Sequence, residues 1–420
     1  MKKLLLLVLV CVSLLFAPAP RTGSDYDCAY SRYVRLAPHM GLNLNPDSYG
    51  FIFPAIRPAL LLKDSSQRQS RPLFILLGSA AGYGWFALSY PIHGLLSRIY
   101  ERYWTGAYPH DKMYLLGNFY LSFIAINALI LWLCLWLLEK ILRLNGLASE
   151  SAALGYGLML FILSNPVTKV FFWTVHEQML NFFTPLLAVY MAMRLARARD
   201  QPPYRIFFFL TLGAGSLLLL YGNFLLLLPV LLIGFLYQRR PLRGWSRVGM
   251  RLVEAAGLLI TFLLPTFIWM AILRWNGTHY YSLEFAQYRE FIWILDALKH
   301  SFGAFLQALG QYSKDFARTL GGVGGVLVIL LLLYFLAGGQ VEPPRRDSGA
   351  IAIVLLVVTI FYWLLGFYQD RLSYSLVPVL ICLWAASLGK KMNQRRLLYL
   401  LLPAAAAWHL VQLLQYGPFC

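Results

Sequence analysis

The sequence predicts an all-α polytopic membrane protein with about eleven transmembrane helices, and three observations carry that reading. Of its 420 residues 59% are hydrophobic and only 13% charged, where a soluble domain has about 25% charged. Apolar runs recur at the length a helix needs to cross roughly 30 Å of hydrocarbon, about 20 residues. The third is that Lys and Arg alternate between the gaps separating those runs. A formal charge of +18 would suggest a nucleic-acid partner in a soluble chain; here it is read as topology, and nucleic acid is excluded as a partner.

Taken in order, the runs lie at about 4–18, 114–137, 149–164, 179–193, 206–221, 223–237, 252–273, 319–337, 350–367, 373–388 and 397–414. With the N-terminus in the cytoplasm, one side collects Lys2, Lys3, Lys140, Arg143, Arg194, Arg197, Arg199 and Arg205. The same side collects Arg239, Arg240, Arg243, Arg247, Arg251, Arg345, Arg346, Lys390, Lys391, Arg395 and Arg396. The short loops opposite hold only Lys169 and Arg371. Positive charge in short loops stays cytoplasmic, so the C-terminus is expected outside.

Two long exterior loops follow, at about 21–113 and 274–318, within a single membrane domain spanning 1–420. The apolar stretch RPLFILLGSAAGYGWFALSYPIHG (71–94) is long enough to cross. A crossing there would turn every later basic cluster outward, so it is expected to lie on the outer surface or to be re-entrant. In the second loop Phe291, Ile294, Leu298, Phe302 and Phe305 recur at helical spacing and predict one interfacial amphipathic helix. The N-terminal MKKLLLLVLVCVSLLFAPAP has the form of a signal peptide, but Pro20 beside the Ala19 cleavage position favours a retained first span.

Cys11, Cys134 and Cys382 fall inside spans as small apolar residues; Cys28 and Cys420 both fall outside, where a bridge is permitted. No metal-ligand, phosphate-loop or dinucleotide motif stands in a supporting context. GGVGG (321–325) reads as close helix packing.

Chemistry is sought where the exterior acids are: Asp25, Asp27, Asp47, Asp64, Glu101, Asp111, Glu177, Glu284, Glu290, Asp296, Asp315 and Asp370. Asp25 and Asp27 follow the first span at headgroup depth, where a carboxylate beside apolar surface can serve as a base or simply cap a helix. Lys169, His176 and Glu177 crowd the mouth of the fourth span, suited to substrate contact or to hydrogen bonding with interfacial water. Arg371, in GFYQDRLSYSLVP (366–378), runs against the charge bias, and its fork suits a phosphate or carboxylate. The bland alternative is a pair with Asp370. Tyr368 and Tyr374 flank it as aromatic-belt or substrate-facing residues.

In layout the chain resembles the GT-C superfamily of membrane glycosyltransferases, which take a sugar from a polyprenyl-phosphate carrier on the exterior face. The matching residues are the acidic motif Asp25, Asp27 and Tyr30, the run SRPLFILLGSAAGYGW (70–85), the Asn165-Pro166 turn followed by Glu177, and YQDRLSYSLVPVL (368–380). The family's acid is an Asp-Glu pair or a single Asp, whereas here it is Asp-Tyr-Asp. The resemblance implies that Asp27 or Asp25 takes the proton of an acceptor hydroxyl, with inversion. Arg371, with Arg71 or Lys169, would neutralise the departing phosphate, and Tyr30, His176, Glu177, Tyr368 and Tyr374 would line the substrate. The partners implied are a polyprenyl-phosphate-linked sugar, a glycan, glycolipid or protein acceptor, and membrane lipid. No metal site and no cofactor are assigned, with a divalent cation left open. The location implied is a bacterial inner membrane with the site facing the periplasm. The competing classes are a flippase or transporter of lipid-linked sugars, for which deep ionisable residues are few, and a glycan polymerase or ligase.

Overall fold

The computed structural model describes residues 2–16, 32–44, 47–64, 66–103, 110–146, 152–198, 203–238, 245–338, 346–388 and 394–415. Helix α1 (Lys2–Ser13) leads to a hairpin, β1 (Arg32–Ala37) and β2 (Met40–Leu44), followed by α2 (Asp47–Ile56), α3 (Pro72–Ser89) and α4 (His93–Tyr103). Then come α5 (His110–Leu144), α6 (Ala152–Leu163), α7 (Pro166–Phe171), α8 (Leu180–Arg197), α9 (Tyr204–Leu218), α10 (Leu227–Gln238) and α11 (Trp245–Trp275). The rest is α12 (Leu283–Ala286), α13 (Ile292–His300), α14 (Phe302–Arg318), α15 (Gly321–Leu336), α16 (Arg346–Leu365), α17 (Asp370–Ser373), α18 (Leu376–Ser387) and α19 (Gln394–Leu414).

Among the described residues the protein is all-α apart from that hairpin, in which Arg32 faces Leu44 and which joins the end of α1 through a Phe16–Met40 bridge. Among the described residues six helices are long and apolar enough to cross a membrane, or seven if α14 and α15, bent by 58°, count as one span. Further apolar helices are shorter, among them Ala153–Leu163, Tyr204–Leu218 and Gly222–Gln238, and the turn after Leu218 carries Tyr221 and Asn223 into a polar cluster.

The run 71–94 is part of a helical stretch, Pro72–Tyr100, that is long and apolar enough to cross a membrane, as its sequence suggested. It lies lengthwise against α5 rather than across it. Gly78 meets Phe123, Gly82 meets Phe119 and Ser89 bonds Asn118 (3.0 Å), an antiparallel sequence of contacts. Glycine at 78 and 82 is what lets the two backbones approach, since a Cβ there would overlap the rings. The single amphipathic helix expected over 291–305 is two helices. Ser301 is extended (φ −175°) and its hydroxyl accepts from Ala304 N (3.0 Å), ending α13 and capping α14.

Pairings along the long helices define two ends of the bundle. Lys3 pairs with Glu139, Arg143 with Glu139, and Arg197 with Asp347, all at one end. Helices α8 and α16 run antiparallel from the Arg197–Asp347 contact to one at the opposite end, where Asn223 links Asn181 to Tyr362. The 21-residue run Glu177–Arg197 separates these ends by about 30 Å, at 1.5 Å per residue. Exposed apolar residues such as Ile260, Phe267, Leu332 and Leu356 stud the bundle's sides, as a hydrocarbon-facing surface requires.

Helices α9 and α11 pack parallel and closely: Tyr204 lies beside Gly257, and Gly215 lies against Phe262. A Cβ on Gly215 would fall 2.0 Å from the Phe262 carbonyl oxygen, a backbone atom that cannot rotate away. Gly215→Ala is therefore expected to lower the unfolding free energy by about 1–3 kcal/mol. Gly213→Ala, which would meet nothing within 4 Å, gains helix propensity and should not destabilise. Thermal unfolding in detergent compares the two.

Candidate functional site

At the end away from Arg197, three arginines converge from distant parts of the chain. Arg71 sits at the N-cap of α3, with Pro72 at the first helical position, where no N–H is needed. The turn before it is fixed by the buried Gln69, whose amide donates to Leu61 O (3.0 Å) and Lys63 O (3.2 Å) and accepts from Tyr281 N (2.6 Å). Trp269 adds a bond to Gln69 O (2.8 Å). Held this way, the Arg71 guanidinium bridges two carboxylates, Glu177 and Glu284, and lies over the Tyr221 ring.

Glu177 is fully buried. It opens the turn into α8 and is placed by the segment before it, where Asn165 caps α7 by accepting from Thr168 N (2.9 Å). Asn127 donates to Phe172 O (3.0 Å) and Thr174 O (2.9 Å), tying that segment to α5. Glu284, on α12, accepts from Ser282 (2.7 Å) and Ser70 (3.3 Å) besides Arg71. Burial pushes its carboxyl up, but Arg71 and these bonds outweigh burial and hold it below the ordinary value.

Arg68 stacks 4.1 Å over Phe51 and reaches Asp47 at 3.3 Å. Burial lowers its pKa to about 10, with Arg71 adding to the shift and Asp47 and Glu284 opposing it. His176 is wedged between Phe51 and Phe171, with Nδ1 3.5 Å from Glu177 and Nε2 4.0 Å from Asp47. Burial, then Arg371, Arg68 and Arg71, push its pKa well below the ordinary value, so the imidazole is neutral at pH 7.

Arg371, on α17, turns inward and lies 5.3 Å over Phe171, while Asp370 stays exposed. Among the described residues the two form no ion pair with each other. The Arg371 Nε is buried without a hydrogen bond, and burial lowers its pKa against the opposing pull of Tyr221, Asp47 and Tyr288. The floor of the site is neutral and bonded throughout. Tyr221 donates to Asn181 (3.0 Å), Asn223 to Tyr362 (2.7 Å) and Tyr362 to Ser375 (3.0 Å). These bonds tie together the ends of α8, α10, α16 and α18.

The structure thus brings Arg71, His176, Glu177 and Arg371 together, and adds Arg68, Asp47, Glu284, Glu290 and Tyr221. It does not bring Lys169 to them. The Lys169 ammonium donates to Gln412 O (2.8 Å), Leu413 O (3.2 Å) and Gln415 O, closing the C-terminus of α19. Partial burial there lowers its pKa to about 8. Tyr368 and Tyr374 also face elsewhere: Tyr368 bonds Trp363 O (2.5 Å) and packs on Tyr312 and Phe316, and Tyr374 packs on Gly322. Asp25, Asp27 and Tyr30, like Cys28 and Cys420, lie outside the described residues. Their segment is flanked by Phe16, bridged to Met40, and by Arg32, paired with Leu44, three positions before Asp47. Among the described residues no group of three or more His, Cys, Asp or Glu is disposed to hold a metal ion.

Set against protein-family models, curated proteins and solved structures, the chain matches none. What fold and site define is a class: an integral membrane protein of apolar helices with a buried arginine-carboxylate cluster at one end of its bundle.

Proposed function

We propose that the chain is a glycosyltransferase that moves a sugar from a polyprenyl-phosphate carrier to an acceptor hydroxyl, at the exterior face of a bacterial inner membrane. The observation that carries this reading is Arg371, a guanidinium packed on Phe171 that forms no ion pair with an acid among the described residues. Arg71 beside it serves two carboxylates and Arg68 serves one. Charge is therefore separated across the cluster, with cation surplus at Arg371 and carboxylate surplus around Arg71. A phosphate monoester or diester at the end of an isoprenoid fits the first side, and an acceptor hydroxyl needing a proton acceptor fits the second. The apolar flanks of α3 and α11 offer the tail a route from the hydrocarbon. Support for an exterior site comes from the opposite end, where the basic residues around Lys3 and Arg197 gather as Lys and Arg do on the cytoplasmic side.

When the carrier phosphate leaves, Arg371 holds its growing charge, so departure needs no proton. Arg71 stays engaged with Glu177 and orients the wall facing it. The sequence's candidates for the proton acceptor are Asp27 and Asp25. The test uses purified full-length protein in nanodiscs with polyprenyl-phosphate hexoses and pentoses and a bacterial glycolipid extract. Release of polyprenyl phosphate that depends on the acceptor supports the reading. Movement of the intact donor between leaflets with no bond cleavage would instead identify a flippase.

A further inference from the structure

One carboxylate in the cluster has no role in holding it together. Glu290 is half-buried and receives no hydrogen bond or ion pair from a described residue. Its backbone is nonetheless fixed. Glu290 N donates to Glu284 O (3.2 Å), Phe291 N donates to Leu365 O (3.0 Å), and Trp293 Nε1 donates to Leu364 O (2.9 Å). Tyr288 stacks on Phe367 at 4.3 Å. Gly366, at φ +83°, lets Trp293 press onto the end of α16, where a Cβ would lie 2.3 Å from its ring. Both neighbours of Glu290, Arg289 (φ +54°) and Phe291 (φ +59°), adopt the left-handed conformation that side chains resist. Glu290 sits between these two bends.

The charged and titratable groups that act electrostatically on Glu290 are Glu284 on its own strap, Arg71 at the start of α3, Tyr221 before α10 and Tyr362 on α16. Glu284 and Glu177 are committed to Arg71, and Asp47 is engaged by Arg68. We propose that Glu290 is the catalytic carboxylate that takes the proton from the acceptor hydroxyl, an inference that rests on the glycosyl-transfer reading above. The acceptor oxygen forms a bond to the anomeric carbon as its proton passes to Glu290. The bond from that carbon to the phosphate oxygen breaks, and the electron pair leaves with the carrier phosphate at Arg371. A proton acceptor works best when its affinity matches the ambient pH. Burial, with Glu284 adding and Arg71 opposing, raises Glu290 to about 7, whereas Glu284 is held low.

The experiment follows polyprenyl-phosphate release from the same donors by the full chain in nanodiscs. Glu290→Gln is expected to lower kcat about 100-fold or more, with the Kd for polyprenyl phosphate itself unchanged. Glu290→Asp should recover part of the loss. Wild-type kcat should rise with pH through about 7, a rise that is absent in Glu290→Gln. Folding is checked independently. A carboxyl with a raised pKa weakens the fold once it ionises, so Glu290→Gln should raise the thermal midpoint at pH 8 and change it little at pH 5. Full turnover in Glu290→Gln, or a pH rise that survives in it, overturns the assignment. Wild-type protein that cleaves no donor overturns the glycosyl-transfer reading and this role with it, while transfer surviving in Glu290→Gln overturns this role alone.

Discussion

Arg71→Ala is expected to lower the unfolding free energy by about 3–5 kcal/mol, among the largest effects of any single truncation in this chain. Arg71 is nearly buried and Glu177 wholly so, and the guanidinium also holds Glu284. Removing it leaves two carboxylates desolvated and facing each other without a cation. Little relaxation is open to Glu177, because the turn that carries it is pinned by Asn127 and by Ser48, which accepts from Val175 N (3.2 Å). The cost belongs to the broken pair and is not the worth of the pair itself. The double variant Arg71→Met with Glu177→Leu should therefore recover much of the loss, a coupling that a double-mutant cycle on thermal or denaturant unfolding in detergent would read. A loss below about 1 kcal/mol for Arg71→Ala would mean that the pair is solvated and contributes as surface pairs do.

How much of this site could be read from sequence depends on what kind of signal each residue leaves. Arg371 was legible because it breaks a global rule, the scarcity of exterior cations in short loops. Glu177 and His176 were legible because a span begins right behind them. Glu284 and Glu290 left no such signal. They lie in a long loop among other acids, and the meaning of Glu284 comes from Arg71, a contact across more than two hundred positions. Lys169 shows the opposite error. Its charge and position matched Arg371, but the end of α19, where carbonyls without intrahelical partners gather, is what its ammonium meets. The fold was legible as apolar helices and less so as a count, because hydropathy reports composition and not where a helix stops. At α9, the chain ends its helix at Leu218 so that Tyr221 and Asn223 can join the polar floor. The hairpin at Arg32–Leu44 was missed since its alternation is short and lies beside an apolar span.

Arg371→Met should separate binding from folding in a way that the Arg71 variant cannot. Among the described residues Arg371 has no ion-paired acid to strand, so replacing its guanidinium with a thioether of similar length removes a largely buried charge without breaking an ion pair among them. The thermal midpoint is expected to stay level or rise. If the site receives a phosphate, the same change removes charge-assisted bonds worth about 1.5–3 kcal/mol, so affinity for polyprenyl phosphate should fall about 10–150-fold. Arg371→Lys keeps the charge and loses the planar fork that packs on Phe171, so it should bind between the two. The comparison is internally controlled, because a general disturbance of the cluster would lower stability and affinity together, whereas an anion site lowers affinity alone. Isothermal titration of polyprenyl phosphate against the three proteins, beside their unfolding curves, measures both quantities on the same preparations. Equal affinity in wild type and Arg371→Met would leave the guanidinium as a packing element on Phe171, and a phosphate leaving group would then have to be held by Arg68, at the expense of its pair with Asp47.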